Sequence, residues 1–397
     1  MILKKLAFLA FLLIFPAGFA QPLSLKDAVE KGVANYGTIL AKSKYKAAAD
    51  ETVKQTKRDY LPNVSVSAQQ DYGTVNGQNG PLYGFGGLGV ASSGLPLPDQ
   101  NWNTAFGALY LVNMNWDFYT FGKIKQRINL SKADAERFKK DFEQEKFQQK
   151  IKIAAAYLNL LASQRLAISQ QKNLDRSLVF QRLAAVRVKN GLLAGVDSTL
   201  ASAEVSRAKI ALNQIKDQVK DQNNKLVALM GVPVQDFILD SAFVKQIPKS
   251  ILRLNTNDSI NPILEFYKSR VDYGKQQLKL FKRDYYPNFS LFGVYQTRGS
   301  GFNSDYASNQ NSFTQNYFDG IDPIRQNYLI GIGVTWNLTT IIRNSKRVSA
   351  QKLIADGLQD EYNVIDQQLK TQSDAADAKI KFAMDNYIEA PKQVDAA

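Results

Sequence analysis

The 397-residue chain contains no cysteine and no histidine. Those two absences exclude disulfides, thiol nucleophiles, zinc sites of the usual kind and every triad or proton relay that needs an imidazole. The remaining Asp, Glu, Lys and Tyr residues cluster in no recognisable reaction site, so no enzyme activity, cofactor or metal is expected. Beyond its first twenty residues the chain also lacks any uninterrupted apolar run of the ~20 residues that a spanning helix needs. Acidic residues are in deficit: 36 Asp and Glu stand against 50 Lys and Arg, a net charge of +14. Such an excess names no partner by itself. The basic residues are spread along helix faces without a compact patch interleaved with aromatics, which argues against nucleic acid. At 45% hydrophobic residues, with 24 Gly and 12 Pro, the composition is that of a folded chain and excludes disorder.

What is present begins with a targeting segment at 1–20. Lys4 and Lys5 precede the apolar run Leu6 to Phe15, followed by Pro16 and the small-residue pattern Gly18-Phe19-Ala20. Cleavage is expected after Ala20, leaving a net charge of +12. No Cys follows, so a lipid anchor there is chemically impossible, and the mature chain is expected in the periplasm, the outer membrane or the medium.

An internal repeat organises the rest. Lys57-Arg58-Asp59-Tyr60-Leu61-Pro62-Asn63-Val64-Ser65 returns as Lys282-Arg283-Asp284-Tyr285-Tyr286-Pro287-Asn288-Phe289-Ser290, 225 positions later. The block around Trp116 returns around Trp336, each followed by a basic helical stretch. The domain expectation is therefore a signal peptide at 1–20, a first repeat at 21–231, a linker at 232–260 and a second repeat at 261–397.

Ser24 is placed to cap a helix from about Leu25 to Arg58, which Tyr60-Leu61-Pro62 stops. Two strands follow in each copy. Val64, Val66, Ala68 and Tyr72 alternate with polar residues, as do Phe106, Ala108, Tyr110, Val112, Met114, Trp116 and Phe118. The second copy repeats the pattern with Phe289, Leu291 and Tyr295, then Tyr328, Ile330, Ile332, Val334, Trp336 and Leu338. Alternation over ~10 residues with Trp116, Tyr119 and Trp336 at one end fits membrane-interface aromatics of a transmembrane barrel; a half-buried soluble sheet fits the strands alone equally well. Each strand pair is joined by a long loop, 76–103 and 299–325, rich in small and polar residues. Gly84-Phe85-Gly86-Gly87-Leu88-Gly89 touches a dinucleotide fingerprint, but Gly94, Pro96 and Pro98 forbid a prompt helix, so a flexible surface loop is expected.

From Lys123 to about Val188 the sequence is helical without Pro or Gly. Phe147, Ile151, Ala154, Leu158 and Leu161 form a candidate coiled-coil seam. A turn around Asn190-Gly191-Leu192 leads to a return helix capped by Asp197 or Ser198 and ended by Gly231 and Pro233. The outgoing helix, roughly 100 Å long, matches the first and return helices stacked end to end. A solvated hairpin is the plainer reading of the same periodicity.

Taken together, the opening Leu23-Ser24-Leu25-Lys26-Asp27-Ala28, the duplicated Arg-Asp-Tyr-x-Pro-Asn junctions and the hairpin from Tyr157 to Gly231 resemble the TolC-like outer-membrane efflux proteins. The resemblance implies an α+β membrane protein: four strands per chain, twelve in a homotrimer, form an outer-membrane β-barrel continuous with a long periplasmic α-helical coiled-coil barrel. It implies an exit duct for drugs, toxic compounds or proteins, in an efflux or type I secretion system, working with a periplasmic adaptor and an inner-membrane transporter and surrounded by outer-membrane lipid. Asn190, Gly191, Leu192 and Asp197 match the family's first tip motif, which the resemblance implies contacts the adaptor. The second copy departs from the pattern: Thr340-Ile341-Ile342-Arg343 lacks the glycine seen at Gly122, and the counterpart of Gly191 would fall near position 411. A second tip, its return helix and the acidic gate the family carries there are therefore expected to be missing. The alternative function is a secreted structural or adhesive coiled-coil protein without transport.

Overall fold

The structure, a computed structural model, describes residues 22–77, 94–240 and 261–395. The elements run α1 (Leu25–Asn35), α2 (Gly37–Arg58), β1 (Asn63–Thr74), β2 (Thr104–Tyr119), α3 (Lys123–Lys189), α4 (Gly195–Met230), α5 (Pro262–Arg283), β3 (Asn288–Ser300), the short α6 (Tyr317–Ile321), β4 (Arg325–Thr335) and α7 (Thr339–Asp395). The expected signal peptide, the Gly84–Gly89 loop and positions 241–260 of the expected linker lie outside the described residues. Among the described residues two compact units emerge, and each draws on both sequence repeats: residues 22–49, 135–240, 261–270 and 361–395 form the first, residues 50–77, 94–134 and 271–360 the second.

The first unit is helical. Its largest core joins Leu23, Ala28, Ile153, Ala156, Tyr157, Leu160, Leu226 and Met230. Ser24 caps α1 as expected, its Oγ accepting from the Asp27 backbone N–H at 3.1 Å. The continuous helix expected from Leu25 to Arg58 is broken at Tyr36, which is extended (ψ 118°). The Asn35-Tyr36-Gly37 sequence is a poor helix former, and Gly231, in a left-handed turn (φ 64°), lies so close that a Cβ there would sit 3.1 Å from the Asn35 carbonyl oxygen.

The seam expected on α3 is also corrected. Ile151 and Leu158 are exposed, and the buried stripe is Gln149, Ile153, Ala156, Tyr157, Leu160 and Leu161. Two polar residues belong to it because each has a backbone partner. Gln149 Nε2 donates to the Leu229 carbonyl at 2.7 Å, and the Tyr157 hydroxyl donates to the Leu23 carbonyl at 2.7 Å. Burial pushes the Tyr157 phenol above its ordinary range. Residues 232–240 are held against this unit: Leu23 bridges Leu239, and Asn223 brackets the segment by donating to the Gln235 carbonyl and accepting from the Phe237 N–H. Elsewhere in the unit, Lys42 lies between Asp141 and Glu145 at 2.9 and 2.8 Å. Burial lowers its pKa, but hydrogen bonds to the two carboxylates outweigh that and hold it above the usual lysine range.

The second unit is built on one antiparallel sheet in the order β1-β2-β3-β4. Helical segments belonging to this unit join through polar contacts. Gln126 Nε2 donates to Gln276, Lys123 pairs with Asp284 at 2.8 Å, and Asn344 Nδ2 donates to the Phe281 carbonyl at 2.6 Å. Gly274 on α5 lets α7 approach, since a Cβ there would meet Leu358 at 3.0 Å.

Candidate functional site

The strand register decides what the alternation means. Val64 pairs with Met114, Val66 with Val112, Ala68 with Tyr110 and Tyr72 with Phe106. Val112 in turn faces Tyr295 and Trp116 faces Leu291, while Tyr295 faces Tyr328, Leu291 faces Ile332 and Phe289 faces Val334. Because side chains alternate across a strand, these residues share one face. The other face carries Ser65, Ser67, Gln69 and Asp71 on β1, Asn113 and Asn115 on β2, Gln296 and Arg298 on β3, and Arg325 and Asn327 on β4. Four separately read strands thus converge on one apolar surface and one mixed surface, where Leu109, Leu111, Phe292, Val294 and Leu329 lie among these polar residues. The apolar surface is bare over much of its extent: Val66 is 77% exposed and Ile332 68%.

The three expected interface aromatics sit at the helix-proximal end of this sheet. Trp116 Nε1 donates to the Tyr60 carbonyl at 2.8 Å, and Trp336 Nε1 donates to the Tyr285 carbonyl at 3.1 Å. Since Tyr60 and Tyr285 are themselves repeat partners, the duplication appears as one contact made twice. Trp336 lies just past β4, which ends at Thr335, so the strand expected through Leu338 is shorter. Tyr119 reaches the apolar face through a bulge. Trp116 pairs with Leu291 and Tyr119 with Phe289, which leaves Asp117 and Phe118 together opposite Ser290. The extra residue reverses the alternation, and Tyr119 packs against Phe121 and Phe289.

Sequence reasoning missed a second aromatic row. Tyr72, Phe106, Tyr110, Tyr295 and Tyr328 lie on the same apolar face toward the opposite end. On β4 the apolar face from Tyr328 to Val334 runs roughly 20 Å along the strand, and Trp336 follows just past its end. The signal was in the alternating positions, but only the register shows that Tyr72 pairs with Phe106 and Tyr295 with Tyr328. The 301–324 connection is ordered around Phe302, Tyr306 and Phe313. It lays α6 over the end of the apolar face, with Tyr317 edge-on to Phe106 at 5.1 Å.

In the helical unit, the Asn190-Gly191-Leu192 turn closes α3 with a left-handed glycine (φ 71°). The Gly191 N–H donates to the Val188 carbonyl and the Leu192 N–H to the Arg187 carbonyl, which satisfies the helix end. Leu192 is 71% exposed at the apex. The cap expected from Asp197 or Ser198 is corrected: α4 starts at Gly195 with Ala194 as N-cap and no side-chain cap. Asp197 falls in the first turn, where a carboxylate is favoured by the helix dipole. Among the described residues no cluster fit for a metal occurs, and no helix is long and apolar enough to cross a membrane.

The sequence profile of the outer membrane efflux proteins matches residues 33–232, half of the chain. The chain belongs to the outer membrane efflux protein family. Solved structures agree with this outer membrane efflux fold. The outer-membrane channel OprN superposes with a TM-score of 0.62 at 16% identity, covering 85% of this chain and 70% of its own. VceC from Vibrio cholerae gives 0.64 at 15%, covering 85% and 74%. The Campylobacter jejuni CmeC channel gives 0.61 at 14%, covering 85% and 66%. No curated protein sequence matches. The fold is accordingly the α+β architecture of an outer-membrane channel, with β-barrel strands and long coiled helices, and the family is one of channels rather than enzymes.

Proposed function

We propose that this efflux-family protein is the exit duct of a multi-component export system, closing its barrel as a homotrimer in the outer membrane with its long helices in the periplasm. The observation that carries the reading is the uncovered apolar face on a sheet whose outer strands, β1 and β4, each have a single neighbour. In lipid, an open strand edge leaves backbone groups unpaired at several kcal/mol each. Four strands are fewer than the eight of the smallest barrels, so one chain does not close alone; three copies supply twelve. Trp116, Tyr119 and Trp336 then mark one membrane interface and the tyrosine row the other, with the mixed face lining the duct. Exposed apolar residues on α3, such as Ile151, Leu158, Phe180 and Leu183, are available for neighbouring copies.

The turn at Asn190, Gly191, Leu192 and Asp197 is the surface offered to a periplasmic adaptor, which in turn joins an inner-membrane transporter. A secreted structural coiled-coil protein, the other function open to the sequence, would have to cover the apolar sheet face in water, at about 25 cal/mol per Å² of apolar surface. Light scattering in detergent, combined with heat-modifiable migration, tests the reading. A trimer that unfolds to a slower or faster band on heating is expected; a folded monomer with barrel-type circular dichroism overturns it.

A further inference from the structure

The short helix α6 is fastened to the apolar face of the sheet at close range. A Cβ at Gly320 would stand 2.5 Å from the Phe106 carbonyl oxygen, and one at Gly299 would stand 2.6 Å from the Asp322 carbonyl oxygen. Only glycine permits backbones to approach this closely. Two hydroxyls complete the seat: Tyr110 donates to the Ile321 carbonyl at 3.3 Å, and Tyr317 donates to Gln70 Oε1 at 2.8 Å. Gln70, Phe106, Tyr110 and Gly299 all hold apolar-face positions in the register, so α6 lies on that side of the sheet. What it leaves uncovered is apolar as well. Phe318 is 74% exposed, yet its backbone is fixed, since Asn316 Oδ1 accepts its N–H at 2.9 Å and its carbonyl accepts the Asp322 N–H at 3.1 Å. Ile324 precedes Gln326 and Tyr328 by two and four positions, which puts it on the same face by alternation, and it too is exposed.

A neighbouring copy is not the natural cover for these side chains, because α6 packs on the inner strands β2 and β3 whereas copies would join at β1 and β4. Height along the barrel points to lipid instead. On β2 the apolar face runs from Trp116 to Phe106, ~34 Å along the strand, and a typical strand tilt of about 40° reduces that to a height of ~26 Å. The outward apolar band of such barrels is about 25 Å tall, with aromatic girdles at both edges. With Trp116 at one edge, α6 stands at the other. Asp319 and Asp322 are exposed next to Phe318 and Ile324. Charged side chains on the lipid face cost little near the interfaces and much at the midplane, so the helix fits the interface and not the hydrocarbon interior.

We infer that α6 rests in the membrane interface, with Phe318 and Ile324 entering the boundary between lipid headgroups and acyl chains at the connection end of the barrel. The partner is the bilayer surface, met as apolar side chains of surface helices meet it. The inference rests on the proposed duct, whose apolar sheet face meets lipid, and it extends that contact from the strands to the segment that joins them. It also keeps α6 on the outside of the barrel wall, away from the face that lines the duct.

The chain has no cysteine, so one introduced thiol carries a nitroxide label at a single known position. Labels at Phe318→Cys, at Ile332→Cys on the apolar face of β4 and at Leu192→Cys on the helical turn are compared in the full chain, reconstituted into phosphatidylcholine–phosphatidylglycerol vesicles. Collisions are measured with oxygen, which concentrates in lipid, and with a nickel chelate, which stays in water. The oxygen-to-nickel ratio at 318 is expected to lie several-fold above that at 192 and below that at 332. A ratio at 318 equal to that at 192 puts the side chain in water and overturns the inference. Collisions suppressed with both reagents mean that protein covers it, which overturns the inference equally. If Phe318→Cys fails to assemble, Ile324→Cys is read against the same two references and decides. A water-like ratio at 332 would instead strike at the lipid-facing sheet, and so at the duct itself.

Discussion

The two passages from strand to long helix make the same anchor by different turns. In both, a tryptophan indole holds the carbonyl of a tyrosine at the foot of the preceding strand. After β2, the chain enters α3 through two left-handed residues, Phe121 (φ 48°) and Gly122 (φ 82°), and the Thr120 hydroxyl accepts from the Ile124 N–H at 3.3 Å. After β4 there is no glycine. Asn337 Oδ1 accepts from the Thr339 hydroxyl at 2.7 Å and from the Thr340 N–H at 3.3 Å, the local bonding for which Asn is favoured at turns and helix starts. The conserved quantity between the copies is thus the point where strand and helix are pinned, and the backbone route is free to change.

The turn after the long helix of the first copy carries the test with the largest expected effect. Gly191→Val should abolish export in cells while the assembly stays intact. Nothing lies within 4 Å of a Cβ at Gly191, so the folding cost is the left-handed backbone alone, about 1–2 kcal/mol. Gly191→Asn, which tolerates that conformation, should retain export. Unchanged transport in the valine variant would remove the proposed adaptor contact.

The shared anchor comes next. Trp116 also meets the Tyr60 ring at 5.9 Å and the Phe118 ring at 6.2 Å. Trp116→Ala should therefore cost about 2–3 kcal/mol, and Trp336→Ala about 1–2. The midpoint of the heat-modifiable transition ranks them; equal losses would mean that the ring contacts contribute nothing.

The divergent turns give smaller effects. Gly122→Ala should cost about 1–2 kcal/mol through its positive φ, and Asn337→Ala about 1 kcal/mol through the lost cap. Asn337→Gly should cost only a few tenths. If Asn337→Ala is silent in the same assay, the second junction does not depend on its side chain.

The smallest effect concerns Lys42 in the helical unit. Its folded pKa is raised, so its contribution is whole below about 10.4, the ordinary lysine value, and fades as pH climbs through the raised folded value. The stability gap between the parent chain and Lys42→Met should hold at pH 9 and close at strongly alkaline pH. A gap that persists there would assign the effect to packing of the side-chain stem.

Much of the sheet was legible because a period of two is hard to imitate: each apolar residue assigned to β1, β3 and β4 at positions 64–72, 289–295 and 328–334 does fall on one face. The helical core was less legible. On α3 the hydropathy pattern selects Ile151 and Leu158, which the single chain leaves exposed, and it passes over Gln149 and Tyr157. Those two are buried on the strength of partners more than 70 positions away in sequence, which no local window contains. The bulge at Asp117-Phe118 was invisible for a related reason, since it is a relation between two strands and has no composition of its own. The break at Tyr36 had a local sign in Asn35 and Gly37, but its close neighbour Gly231 is distant in sequence.

The two single-neighbour strands carry a consequence for biogenesis. β1 and β4 differ in sequence, so in the proposed trimer pairing between copies is head to tail, the kind of contact that forms a ring when its rotation closes and a filament when it does not. A newly made chain therefore carries unfinished hydrogen bonding along two edges, a template for misassociation, until it meets its siblings. If the proposed trimer forms, maturation becomes a collision-limited event whose yield depends on how many copies arrive together. Slow synthesis should leave chains waiting with their edges open, and rapid synthesis should favour the wrong partners as well as the right ones.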